Sequence, residues 1–187
     1  VNSLETYDSW EALCGAGRII PAFPGAGGGF DGNVLDAALT PRLIQPTTIG
    51  KTGGRGRALA RVLHRAKIPC QIVPDMHAWQ LCHLAMVVPI ADAYYEAADP
   101  ENAGKNVTLM RKTAKQIRDN LDAIAARKIR LSPGKIQAFR LLPTPLVGWI
   151  LSFVFQSSFG DRFMYRHSMK APDEMRQLHE QFYRWLE

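Results

Sequence analysis

The sequence predicts a mainly helical protein in which a short α/β segment, residues 1–74, precedes an all-α segment, residues 75–187. Three observations carry this expectation. Up to Pro74 the apolar residues come in short compact runs broken by glycine and proline, as buried strands do. Beyond Pro74 nearly every stretch repeats its apolar residues at helical spacing. The chain has 187 residues, 47% of them apolar and 21% charged, the balance of a globular protein with one domain or one and a half small ones.

Taken in order, residues 3–14 read as a helix, with Ser3 as N-cap and Glu5 and Thr6 in the first turn. Leu4, Tyr7, Trp10 and Leu13 recur at helical spacing, and Gly15 and Gly17 end it. Residues 18–23 form an apolar run expected as a buried strand, followed by a flexible glycine-rich break over 25–29. Residues 33–39 and 43–49 read as a strand pair, with a short helix as the alternative for Val34, Leu35, Ala38 and Leu39. A basic helix over 58–66 is expected to turn Leu59, Val62 and Leu63 inward, and a strand follows over 68–73.

The second segment opens with a long apolar helix, 76–98, expected to be interrupted at Pro89. Met110, Ala114, Ile117, Leu121 and Ile124 then make one apolar stripe, with Lys112, Lys115, Arg118, Asp119 and Asp122 mostly on the wet side. Pro133 suits the first turn of a further helix. Residues 145–155 are apolar on all sides, which fits a central helix or an interface, and 173–186 closes the chain as an amphipathic helix.

Charge and cysteine usage narrow the partners. The net charge is +6, and residues 37–74 contain no acid while holding Arg42, Lys51, Arg55, Arg57, Arg61, Arg65 and Lys67. Such a block attracts anions, although a solvated helix face is the plainer reading. It contains no aromatic ring for base stacking, so nucleic acid is not an expected partner. Three cysteines, Cys14, Cys70 and Cys82, without a close pair point to a reducing compartment. The opening residues are polar and acidic, unlike a signal peptide, and 145–155 is shorter than the roughly 20 residues of a membrane span. A cytoplasmic protein that does not enter membranes is expected.

Several motifs carry less than their pattern suggests. Residues 27–32 satisfy G-x-G-x-x-G, but Pro41 cuts short the helix that should follow, and no acid stands between Asp36 and Asp75 to hold a ribose. A glycine-rich turn between strands is the expected reading. Gly50-Lys51-Thr52 has the tail of a phosphate loop, yet Gln45 stands where the loop needs glycine. His77, Cys82 and His83 lie near one another in sequence but face differently on a helix, so no metal is expected. Ser157 and Ser158 lack the turn of a nucleophilic serine.

Together, several stretches resemble the ketopantoate reductase (2-dehydropantoate 2-reductase) family of NADP-dependent dehydrogenases. The run from Arg18 through Pro24 to Gly28 resembles the late strand and double glycine of that family's nucleotide-binding domain. Gln45-Pro46-Thr47-Thr48-Ile49-Gly50 resembles its P-T-T-x-G strand. Asp75-Met76-His77-Ala78-Trp79 resembles the entry to its helical domain. Trp79 to His83, then Pro89 to Tyr94, is similar to a branch with a W-L-K-T-H pattern. His167 and Asp173-Glu174-Met175 resemble a late H…D-E-M.

The resemblance implies the end of a Rossmann-type domain over 1–74 and an all-α domain like that of 6-phosphogluconate dehydrogenase over 75–187. It also implies reduction of a 2-keto acid in pantothenate biosynthesis, with NADP bound by the full-length family member but not by this chain. The family's catalytic lysine falls at Leu81 and its asparagine at Ala85, so no catalytic residue carries over. Leucine cannot donate a proton to a nascent alkoxide. A lysine restored at 81 is expected to help if the pocket is otherwise intact. Glu174, His83 and His167 remain as implied substrate-binding residues. A homodimer is expected, joined through residues 145–155 and the open edges of the α/β segment. Two other readings stand beside this one: a non-catalytic module for dimerisation or small-ligand binding, and a nucleic-acid binder using residues 42–67.

Overall fold

The computed structural model describes residue 4 and residues 7–187. Ser3, Glu5 and Thr6, the expected cap and first turn, lie outside the described residues. The protein is mainly helical with a small sheet. It divides into two compact units, residues 1–80 and 81–187.

The first unit begins with helix α1, Asp8–Cys14. Its expected inward stripe does not form, because Trp10 is 43% and Leu13 88% exposed. The helix is held instead by Tyr7, whose hydroxyl donates to Gln80 Oε1 at 2.5 Å. Of the apolar run 18–23 only β1, Ala22–Phe23, is a strand. The glycine-rich break is strand as well. β2, Ala26–Asp31, pairs antiparallel with β3, Val34–Leu39, through a two-residue turn at Gly32 and Asn33. Gly32 has φ +56°, the left-handed conformation that a tight hairpin asks of glycine. A side chain at Gly28 would collide with the Asp36 carbonyl across the ribbon, which is why glycine serves here inside a strand. The expected pairing of 33–39 with 43–49 is therefore replaced by a local hairpin, whose two-residue closure costs the least chain entropy.

β4, Thr47–Gly50, is the centre of the main sheet, ordered β1-β4-β5. It runs antiparallel to β1 and parallel to β5, Cys70–Val73, with Thr47 opposite Cys70 and Gly50 opposite Val73. The parallel pair requires a crossover, supplied by helix α2, Gly53–Arg65. α2 turns Gly56, Leu59, Ala60 and Leu63 toward the strands, while Val62 is 61% exposed and faces away. Ile49 is fully buried in the sheet, and Val73, Met76, Trp79 and Phe23 form an apolar cluster with Phe23 and Trp79 rings 5.3 Å apart.

Helix α3, Met76–Glu96, runs unbroken through Pro89. Proline removes one backbone hydrogen bond, but this proline is buried among packed side chains that hold the helix together. The first residues of α3 belong to the sheet unit, so the division falls after Gln80 rather than at Pro74. Met76 and Trp79 are the physical reason, since both pack into the sheet cluster.

In the second unit a 3-10 turn, Pro100–Lys105, leads to α4, Val107–Ala126. Asn106 caps α4 by accepting from the Leu109 N–H at 3.0 Å. The predicted stripe of α4 is buried, joined by Leu109, Thr113 and Asn120. α4 packs chiefly on α6, Thr144–Phe155. Pro133 does not start a helix; α5 begins three residues later and covers Ile136–Leu141. α7, Ser158–Gly160, a π-helical turn, Asp161–Tyr165, and α8, Arg166–Lys170, follow before α9, Pro172–Leu186. Tyr94 stacks on Phe155 at 4.6 Å and leans on Tyr165 at 5.6 Å. α9 buries Met175, Leu178 and Phe182. No helix among the described residues is long and apolar enough to cross a membrane.

Candidate functional site

α3 carries the residues that sequence reasoning singled out. Leu81 and Ala85 are one turn apart on one face, and both are 0% exposed. The Ala85 carbonyl is engaged by the amide of buried Asn120 on α4, at 3.3 Å. The face that could have presented an ammonium and an amide is thus closed packing.

His83 lies off that face and is half-buried. Loss of water, together with the neighbouring His167 imidazole, pushes its pKa down to about 4. His83 is neutral at pH 7 and cannot serve as a proton-donating imidazolium there. The structure thus brings His83 and His167 within electrostatic reach of each other. His167 is exposed on α8. Glu174 is exposed in the first turn of α9, and its carboxylate makes no ion pair among the described residues. The three implied binding residues do not form one linked set.

A polar network that sequence reasoning missed lies between the same helices. Asp92 on α3 receives His179 on α9, whose Nδ1 is 2.9 and 3.1 Å from the two carboxylate oxygens. A carboxylate only accepts, so the Nδ1 that faces it carries the proton. Burial pushes the Asp92 pKa up, while His179 opposes that rise. The His179 ring packs at 4.6 Å on Tyr183, and Tyr183 also hydrogen-bonds Asn120. Nearby, Lys112 on α4 pairs with Glu96 at 2.5 Å, and Tyr95 donates to the Ser168 carbonyl at 2.6 Å. The signal available was Asp92 itself, a lone charge within the apolar run from Met76 to Tyr95. Its partner stands 87 residues away, beyond any local pattern.

The remaining motifs resolve structurally. The glycines of 27–32 lie in the β2–β3 hairpin, and no helix opens on the last of them. They do not fit a dinucleotide phosphate, which needs a helix N-terminus at that point. Gly50-Lys51-Thr52 does join a strand to a helix, but Thr52 gives α2 no side-chain cap bond. Ser157 caps α7 by accepting from the Gly160 N–H at 3.1 Å. The described residues hold no group of three or more His, Cys, Asp or Glu able to bind a metal. Cys14, Cys70 and Cys82 are free thiols, and Cys82 is buried, accepting from the Ser132 N–H at 3.4 Å.

No family model, no curated protein and no solved structure matches this chain.

Proposed function

We propose that the chain is the back part of a ketopantoate-reductase-like, NADP-dependent oxidoreductase of 2-keto acids in which the helical unit has lost the proton-donating chemistry. It serves instead as a scaffold through which two copies associate. The carrying observation is the closure of α3 around Leu81 and Ala85, both 0% exposed where the family presents lysine and asparagine. The nearest titratable group, His83, supports the same reading, because its pKa near 4 leaves it uncharged at pH 7, without the imidazolium that could act as a general acid.

Self-association is favoured by a specific feature of α6. Leu146, Trp149 and Phe153 follow at helical spacing and are 42%, 68% and 71% exposed. A contiguous apolar face of that kind marks an interface, and a symmetric dimer covers it with the same face of a second copy.

The reading is tested by incubating the chain with NADPH and ketopantoate and following absorbance, alongside sedimentation equilibrium. Turnover at the uncatalysed rate and a mass of twice 20.8 kDa are expected. Sustained ketopantoate reduction overturns the loss of chemistry, and a monomer at all concentrations overturns the scaffold.

A further inference from the structure

The positive excess of this protein is concentrated in one acid-free block. The chain carries +6, while residues 37–74 hold seven Lys and Arg and no Asp or Glu, so the rest is close to neutral. Four of the seven, Arg55, Arg57, Arg61 and Arg65, stand on α2. Arg57, Arg61 and Arg65 occupy every fourth position and are all exposed, which sets them in a row with about 6 Å between neighbours along the axis. None of the three makes an ion pair among the described residues. Arg55 donates to the Gly17 carbonyl.

Helix stability does not account for this arrangement. The first turn of α2 contains no acid and includes Arg55, although the start of a helix favours negative charge and disfavours positive charge. The apolar side of α2 is already turned onto β4 and β5, which leaves the arginine row as the face offered to solvent.

We propose that the outer face of α2 is a sequence-independent binding surface for the phosphate backbone of duplex nucleic acid. Charge complementarity is the ground. A duplex offers one negative charge per about 1.7 Å of axis, and guanidinium groups bind phosphate oxygens bidentately. The block contains no aromatic ring, so it lacks the stacking platforms of single-strand binders, but backbone contacts do not require them. An acidic lipid surface is disfavoured because a helix lying in a membrane needs its apolar face free to enter the lipid. The apolar face of α2 is occupied by the sheet.

The test is fluorescence anisotropy of a short labelled duplex with the full chain, titrated in salt. The wild type should bind with an affinity that falls steeply as salt rises. Replacing the row in R57Q/R61Q/R65Q should weaken binding by about tenfold or more and flatten the log–log salt slope by roughly 0.9 per lost phosphate contact. Circular dichroism checks that this variant is folded; if it is not, R61Q alone should flatten the slope by about one contact. The variant K105Q/R130Q/K170Q removes equal charge from the helical unit and should bind as the wild type does. No duplex binding at low salt overturns the proposal. So do a row variant that binds normally, equal weakening by both triple variants, and preferential binding to phosphatidylserine vesicles at equal phosphate.

Discussion

Asp92 and His179 join two helices that begin almost a hundred residues apart, with both carboxylate oxygens of Asp92 within 3.1 Å of one imidazole nitrogen. The side chains are 28% and 43% exposed, so the pair ties α3 to α9 without being sealed from water.

That tie should be measurable. Asp92→Asn and His179→Ala are each expected to lower the free energy of urea unfolding by about 1 kcal/mol, a charged hydrogen bond discounted for its exposure. A double-mutant cycle should give a coupling of the same sign. Additive effects would mean that the two side chains act separately.

His83 should set an acid limit on stability. Its folded-state pKa is lowered to about 4 from an ordinary value near 6.5. The unfolded chain therefore binds more protons between these values, and the stabilisation is full above pH 6.5 and lost as pH falls toward 4. The loss is expected to be at most about 3 kcal/mol, at 1.36 kcal/mol per pKa unit. Asp92 acts oppositely at lower pH, because its raised pKa makes the folded chain hold a proton more readily. Unfolding curves of His83→Gln should show a shallower slope between pH 6.5 and 4; an unchanged slope would refute the assignment.

Leu81→Lys should not confer reductase activity. Position 81 is 0% exposed, so the new ammonium would be buried without a partner, at a cost of about 3–5 kcal/mol. The isosteric control Leu81→Met should cost under about 1.5 kcal/mol. Gain of NADPH-dependent ketopantoate reduction in a stable Leu81→Lys protein would show that the face is open.

Trp149→Ser with Phe153→Ser should convert the expected dimer to monomer in sedimentation equilibrium while changing monomer stability little, since both side chains are already largely exposed. A large drop in melting temperature at low protein concentration would assign these rings to the folded monomer instead.

Legibility followed the range of the interactions. The stripe of Met110, Ala114, Ile117, Leu121 and Ile124 was readable because one helix face repeats with the helical period, and all five of those residues are buried. The basic block was readable because charge is a property of composition. Gly27 to Gly29 read as a break because glycine is conformationally free, and only pairing with Ala37 and its neighbours made it strand. Val62 shows the same limit: its place in the repeat fitted an inward face, but the direction from which β4 and β5 approach left it outside.

The sequence by itself thus determined the helical character of the second segment, the succession of a basic helix and a short strand after β4, and the concentration of positive charge. Tertiary structure alone decided that Leu81 and Ala85 are closed off, that His83 loses its proton beside His167, and that Asp92 meets His179. Periodicity and charge are written locally along a chain, whereas burial and pairing depend on which distant segments share the same few ångströms of space.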